Sequence, residues 1–317
     1  MKILANDGIS TLGKELLEKA GFEVITEKVA QENLADAVNQ QEIDMILVRS
    51  ATTVRKGVID ACPRIKLIGR GGVGMDNIDV SYAREKGITV INTPASSSQS
   101  VAELVMGHLF SMSRFLNDSY KNMSTGDFST LKKNYAKGIE LRGKTIGIVG
   151  FGRIGQSLAS YAYGVGMNVI AIDQHEYIAE IPVNVGNQTI SISCKTRKNL
   201  SDELQHMDFI SLHVPKQSDG SAVIAAKEFD KMKKGSILVN AARGGVINED
   251  DLLTALDNGK IAGCALDVFE NEPNPRKDLL NHPKIACTPH IGAATVEAQD
   301  RIGEELASLI IKEFGTK

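Results

Sequence analysis

The chain has 317 residues, 42% hydrophobic and 24% charged, with a formal net charge of −3. That length exceeds one ordinary core and predicts two domains. The near-neutral charge, without a basic block, argues against nucleic acid as a partner, and no apolar run reaches the ~20 residues that span a bilayer.

The first 92 residues alternate short apolar runs with amphipathic segments. Strands are predicted at 3–6, 23–26, 43–49, 65–69 and 88–92, and helices at 11–20 and 31–39. A longer helix begins near Ser98. Ser100-Val101-Ala102-Glu103 fits a capping box, and Val101, Leu104, Val105, His108, Leu109, Met112 and Leu116 form an apolar stripe at helical spacing. Residues 117–138 are polar. Further strands are predicted at 144–149, 168–172, 209–213, 237–240, 263–267 and 285–288, and a last helix at 294–314. Such alternation implies parallel sheets covered by helices.

Gly150-Phe151-Gly152-Arg153-Ile154-Gly155 follows the apolar run 144–149 and precedes a helical segment. After a second apolar run comes Asp173, eighteen residues past Gly155. Strand, glycine turn, helix, strand and acid form a dinucleotide-binding arrangement. Gly150 permits the tight turn, Gly152 a close approach of backbone to pyrophosphate, and Gly155 close helix–strand packing. The helix N-terminus offers unpaired N–H groups to the phosphates. A carboxylate at Asp173 accepts from ribose hydroxyls and repels a 2′-phosphate, and Gln174-His175-Glu176 brings no Arg or Lys to hold one. NAD is the expected cofactor.

The turn begins nearly halfway along the chain, and the last helix follows the last strand of the second unit. The economical layout is a discontinuous first domain, 1–97 and 291–317, with a dinucleotide-binding domain, 98–290, inserted into it and the ligands in the cleft between. Ligands of open α/β sheets lie beyond the C-terminal ends of strands. Three successive strands there lead into Arg243, Asp267 with Glu270 and Glu272, and His290. Arg binds a carboxylate bidentately, His exchanges a proton near neutral pH, and a carboxylate on the other imidazole nitrogen would orient the ring. Beside a nicotinamide, that set oxidises a 2-hydroxy acid reversibly.

Cys62, Cys194, Cys264 and Cys287 are isolated and read as reduced, mostly buried thiols. With no signal-peptide pattern, the expected location is cytoplasmic. His108, on the helical stripe, reads as a packed core residue. His206 and His213 lack a convergent Cys or Asp set, so no metal site is expected. His213-Val214-Pro215 ends a strand of the cofactor unit and suits a backbone contact to the cofactor.

The chain resembles the D-isomer-specific 2-hydroxyacid dehydrogenase family, closest to members that oxidise D-3-phosphoglycerate. The matching motifs are Val48-Arg49-Ser50-Ala51-Thr52, Gly69 to Asp79, Asn92-Thr93-Pro94 leading into Ala102-Glu103, Gly150 to Gly155, Asn240-Ala241-Ala242-Arg243-Gly244, Ala265 to Phe269 with Glu272-Pro273, and Pro289-His290-Ile291-Gly292-Ala293. The resemblance implies two doubly wound parallel-sheet domains, a Rossmann NAD-binding domain inserted into a flavodoxin-like substrate domain. It implies Arg243, Glu272 and His290 as the catalytic set, and it is the resemblance, not spacing, that selects Glu272 over Glu270. Cofactor contacts are implied for Val73, Arg153, Ile154, Asp173, Ala241, Ala242, Arg243, Asp267, His290, Gly292 and Ala293, and substrate contacts for Arg49, Ser50, Gly72 and Val73 together with Arg243 and His290. A homodimer is implied, and feedback by serine through a C-terminal regulatory domain is not expected. The stretch 181–198 matches the family poorly, and Asn134-Tyr135 stands where a tryptophan is usual.

The small-molecule substrate expected is a D-2-hydroxy acid or its 2-oxo partner, with D-3-phosphoglycerate, a precursor in serine biosynthesis, favoured because Arg49 and Arg70 suit a phosphate. Hydroxypyruvate or glyoxylate reduction is the alternative within the same chemistry. A nicotinamide-sensing, corepressor-like binding protein is the alternative from another class.

Overall fold

A computed structural model of the chain describes residues 1–315. They divide into two compact units, residues 1–98 with 293 onward, and residues 99–292.

The first unit carries strands β1 (Lys2–Ala5), β2 (Glu23–Ile25), β3 (Met45–Val48), β4 (Leu67–Arg70) and β5 (Thr89–Asn92), all parallel in the order β2-β1-β3-β4-β5. That is the flavodoxin-like order. Helices α1 (Thr11–Lys19), α2 (Leu34–Gln40), α3 (Lys56–Ala61) and α4 (Val80–Glu85) lie between the strands. Alternate strand residues point to opposite faces. Leu4, Ile46 and Ile68 belong to one apolar cluster, and Ile3, Met45 and Leu67 to another. The C-terminal helix completes this unit, with Ala307 and Ile310 in the second cluster. It packs on α1 where two glycines meet: a Cβ on Gly13 would lie 2.6 Å from the Cα of Gly303.

The second unit holds β6 (Thr145–Val149), β7 (Asn168–Ile172), β8 (Ile178–Val185), β9 (Gln188–Arg197), β10 (Phe209–Leu212), β11 (Ser236–Asn240), β12 (Ile261–Leu266) and β13 (Ile285–Cys287), in the order β13-β12-β11-β10-β6-β7-β9-β8. Without β8 this is the Rossmann order extended by one strand. Its helices are α5 (Ser98–Arg114), α6 (Leu116–Asn122), α7 (Phe128–Tyr135), α8 (Arg153–Gly164), α9 (Leu200–Glu203), α10 (Ala226–Lys231), α11 (Glu249–Asp257) and α12 (Lys277–Asn281), and α13 (Val296–Phe314) is the helix that closes the first unit.

One local reading needs correction, and two segments carry elements that no sequence pattern announces. The polar stretch 117–138 is mostly helical, as α6 and α7, whose Leu116, Tyr120 and Phe128 are exposed, so no buried stripe announces them. Ser100 lies inside α5, so the capping box does not sit at a cap. Residues 178–197, for which no strand is predicted, form an antiparallel hairpin. β9 joins β7 in parallel through Ala171↔Thr196 and Ile172↔Arg197. β8 buries Ala179, Ile181 and Val183. Pro182, on its exposed face, lacks an N–H and suits an edge strand, and its carbonyl accepts from Ser160 Oγ of α8 at 2.5 Å.

Candidate active site

Because β11, β12 and β13 run parallel, the residues following them share one edge of the sheet. Asn240, 2% exposed at the end of β11, organises the first loop. Its Oδ1 accepts from the Ala242 amide at 3.0 Å, and its Nδ2 donates to the Arg243 carbonyl at 2.9 Å. Arg243 Nη1 donates to the Ala242 carbonyl at 2.6 Å.

The next loop carries Glu272, whose Oε1 accepts from the Phe269 amide at 3.0 Å. Its Oε2 lies 2.8 Å from His290 Nδ1, both side chains being about one-third exposed (35% for His290 and 34% for Glu272). Burial pushes the Glu272 carboxyl up. The hydrogen bond from His290, the Phe269 amide and the charges of His290 and Arg243 outweigh burial, and its pKa lies below the usual carboxylate value. With Nδ1 on the carboxylate, the imidazole is left its Nε2 for proton exchange. Glu249 in the first turn of α11 braces the same loop, its Oε1 accepting from the Glu270 amide at 2.9 Å. Burial and the nearby Glu270 charge raise the Glu249 carboxyl, against the pull of that amide. Asn240 is announced by its place in the motif 240–244, whereas Glu249 carries no sequence signal separating it from an ordinary polar residue at a helix start.

His290 adopts φ +53°, the left-handed region that side chains other than glycine, Asn and Asp seldom occupy. Its turn is tied to Asp267, which is 1% exposed at the end of β12. The His290 amide donates to the Asp267 carbonyl at 2.9 Å, and the Ile291 and Gly292 amides donate to its carboxylate, each at 2.9 Å. Ala293, the next residue, has its carbonyl bound by Gln299 Nε2 at 2.6 Å.

The glycine turn lies at the C-terminal end of β6. Gly150 has φ +91°, and a Cβ there would sit 2.4 Å from the His213 carbonyl oxygen. A Cβ on Gly155 would sit 2.4 Å from the Gly150 carbonyl oxygen, so α8 rests directly on the turn. Gly152 is the N-cap of α8, and a Cβ on it would meet nothing within 4 Å. Arg153 and Ile154 open the helix. Asp173 accepts from the Phe151 amide through Oδ2 at 2.9 Å. One cleft brings together Gly150, Gly152, Asp173, His213, Val214 and Pro215 with Lys198 at the exit of the hairpin. Lys198 is a cation that the residues just after Asp173 do not announce. His213 Nε2 is 2.8 Å from Ser211 Oγ, while its Nδ1 is buried without a hydrogen-bond partner. Burial pushes the His213 ring down to about 4, so it is neutral at physiological pH. A tight glycine turn, open space at the N-cap of α8, an acceptor carboxylate and an orphaned buried nitrogen fit a dinucleotide.

In the first unit, Val48 of β3 is paired with Arg70 of β4, so Arg49 and Arg70 close adjacent strands on one edge. Asp7 holds the Arg49 loop: its Oδ2 accepts from the Arg49 amide at 2.7 Å and the Thr52 amide at 3.0 Å. Asn77 Nδ2 donates to the Arg49 and Thr52 carbonyls at 2.7 and 2.6 Å, bracketing Ser50. Burial lowers the Arg49 guanidinium's pKa and the Asp7 charge opposes it. Gly72, at φ +144°, donates its amide to Thr93 Oγ1 at 2.8 Å and lies so close to Arg70 that a Cβ would meet its Nη1 at 1.8 Å. Val73, 38% exposed, is anchored by Asn92 Nδ2 on its carbonyl at 2.7 Å. Among the described residues no group of three His, Cys, Asp or Glu is arranged for a metal ion, and no helix is long and apolar enough to cross a membrane.

Known proteins place this arrangement. Residues 106–292 match the family described as "D-isomer specific 2-hydroxyacid dehydrogenase, NAD binding domain". A hydroxypyruvate reductase from Thermotoga maritima is 40% identical over 99% of this chain and 98% of its own length. A D-3-phosphoglycerate dehydrogenase from Methanocaldococcus jannaschii is 39% identical over 98% of this chain but 57% of its own length, so the chain spans little more than half of that relative. The crystal structure of an NAD-dependent formate dehydrogenase from Staphylococcus aureus in complex with NAD superposes with TM-score 0.80 at 28% identity, covering 99% of this chain and 96% of that one. With a dinucleotide cradle, a Rossmann-ordered sheet and full-length relatives of this kind, the chain belongs to the D-isomer-specific 2-hydroxyacid dehydrogenase family, with NAD as its cofactor.

Proposed function

We propose that the protein interconverts D-3-phosphoglycerate and 3-phosphohydroxypyruvate, with Arg243, Glu272 and His290 as its catalytic set. The observation that carries the chemistry is the His290–Glu272 hydrogen bond on the sheet edge that also bears Arg243. A dinucleotide held at the glycine turn and Asp173 would supply the hydride acceptor and donor for C2 of the substrate. His290 Nε2 takes the hydroxyl proton during oxidation and returns it during reduction. Glu272 orients the ring. Arg243 binds the carboxylate and offsets charge developing on the carbonyl oxygen. Gly150, Gly152 and Gly155 with Asp173 cradle the dinucleotide.

Arg49 and Arg70, at the ends of adjacent strands of the first unit, put positive charge on one sheet edge, which favours a phosphorylated substrate. The full-length relative from Thermotoga maritima favours a second reading, reduction of hydroxypyruvate. Initial rates of NADH oxidation with each 2-oxo acid separate the two. The expected result is a kcat/KM for 3-phosphohydroxypyruvate at least about tenfold above that for hydroxypyruvate, the ratio worth about 1.4 kcal/mol of transition-state binding. The opposite ranking selects the second reading, and no turnover with either overturns the catalytic proposal.

We further propose a homodimer. Phe110, Leu116, Tyr120, Met123, Phe128 and Ile139 are each at least 40% exposed along α5, α6, α7 and the loop after them. An apolar run of that extent marks an interaction surface, and a second copy offers the same surface in return. Sedimentation at micromolar concentration should give the mass of two chains, and Tyr120→Asp combined with Phe128→Asp should give one. A parent protein that sediments as a single chain would sink the idea.

A further inference from the structure

His108 occupies the apolar stripe of α5, where it reads as a core residue, and it is buried. Its ring nevertheless has a polar partner, Nε2 lying 3.3 Å from Thr288 Oγ1. Thr288 Oγ1 is 2.6 Å from Asp267 Oδ1. The same carboxylate receives the Ile291 amide on Oδ1 and the Gly292 amide on Oδ2, both at 2.9 Å. These are the two amides immediately after His290. A continuous line of hydrogen bonds thus runs from the middle of α5 to the turn that presents His290.

The direction of that line follows from donor counts. An ionised carboxylate only accepts, so the single hydroxyl proton of Thr288 is committed to Asp267. The Thr288 oxygen must then receive its hydrogen bond, and the ring nitrogen facing it must carry the proton. Burial lowers the His108 pKa, with the Asp267 charge opposing, so a neutral ring with its one proton on Nε2 meets the requirement.

We propose that His108, acting through Thr288 and Asp267, is a positioning residue for His290. The inference rests on His290 being the proton-exchanging group. A left-handed backbone at a histidine persists only where its surroundings impose it. Here the imposition comes from Asp267, through its own carbonyl and both carboxylate oxygens. Without the His108 donor the Thr288 hydroxyl is free to turn, the carboxylate loses one of three partners, and the turn gains freedom that misaligns the imidazole. Hydrophobic packing alone makes a different demand, for volume rather than a donor at Nε2.

NADH-driven reduction of 3-phosphohydroxypyruvate and of hydroxypyruvate by full-length His108→Leu, His108→Gln, Thr288→Val and the His108→Leu/Thr288→Val double variant tests this. His108→Leu and Thr288→Val should each lower kcat about tenfold, since small misplacements of a catalytic group cost rates of that order, with KM within about twofold of the parent. His108→Gln, which keeps an N–H donor, should retain at least about half of the parental kcat, and the double variant should fall no further than Thr288→Val, because both cut one chain. Parental kcat in His108→Leu, equal losses in the Leu and Gln variants, or additive losses in the double variant would each overturn the proposal. Nitrogen-15 NMR of the parent reads the tautomer without any substitution: Nε2–H between pH 6 and 8 is expected, and Nδ1–H overturns the relay. His290→Ala assayed alongside separates the layers. If it turns over at the parental rate, the reading of His290 falls and the positioning role with it. If it is inactive while His108→Leu is parental, only the positioning role falls.

Discussion

Replacing His290 by alanine is expected to lower kcat/KM about 10³-fold, within the range for losing a positioned general acid–base group, while affinity for NADH stays within a few-fold. The size of the effect follows from how the ring is held. Nδ1 is committed to Glu272 at 2.8 Å, so Nε2 is the nitrogen available to the substrate oxygen. The Glu272 carboxyl is itself kept ionised below the usual carboxylate range, so the pairing is intact at neutral pH. Water cannot replace a ring pre-oriented by a carboxylate on one side and a tied backbone turn on the other. Steady-state kinetics in both directions, with fluorescence titration of NADH, checks the result. A variant retaining a tenth or more of the parental kcat/KM would remove His290 from the reaction.

The second large effect is expected at a residue that carries no functional group. Gly244 follows Arg243, and a Cβ on it would lie 1.7 Å from the Phe269 carbonyl oxygen, 2.1 Å from its carbon and 2.7 Å from the Glu270 nitrogen. All three obstacles are backbone. That backbone is held in place by Glu249 on the Glu270 amide at 2.9 Å and by Glu272 on the Phe269 amide at 3.0 Å. It cannot swing aside as a flexible side chain would. Gly244→Ala is therefore expected to cost about 2–3 kcal/mol of stability, the upper range for overpacking a fitted contact. It should also separate the Arg243 loop from the Glu272 loop by a fraction of an ångström to an ångström, lowering kcat/KM about 10²-fold even in the folded fraction. Denaturant unfolding gives the first quantity and kinetics below the melting range the second. Parental values in both would mean that the two loops do not touch in solution.

These expectations show how function depends on loops whose ends are set by strands. Arg243, the Glu272 loop and His290 each follow a parallel strand, so the sheet brings them to one edge before any side chain adds precision. The finer alignment comes from buried polar groups. Asn240 holds the Arg243 loop from both its amide and its carbonyl side, and Asp267 holds the His290 turn. Each satisfies backbone groups that would otherwise be buried unpaired, at a cost of about 1–3 kcal/mol apiece.

Much of this was open to reading from the amino acids alone, for an identifiable reason. Strands buried on both faces are written as unbroken apolar runs, as in Met45-Ile46-Leu47-Val48, which is buried at every position. The dinucleotide turn is written in glycines because backbone contacts as close as that of Gly150 to His213 admit no side chain. Local constraints of this kind leave a local record, and they determined the class of the fold, the cofactor cradle and the polar residues at the strand ends. The hairpin 178–197 left no such record. Its outer strand alternates, with Ala179, Ile181 and Val183 buried, but Ile178, Val185 and Ile190 of the hairpin are exposed, so its apolar residues do not mark one buried face, and its place at the sheet edge depends on β7 and α8. Lys198 beside Asp173, Glu249 behind Glu270 and His108 behind Thr288 are likewise invisible along the chain, because each partnership joins segments at least 21 residues apart. Which polar residue orients another is a matter of distances of about 3 Å. Only tertiary packing brings such groups to that separation, and so only the folded chain decided what holds His290 in its unusual backbone conformation.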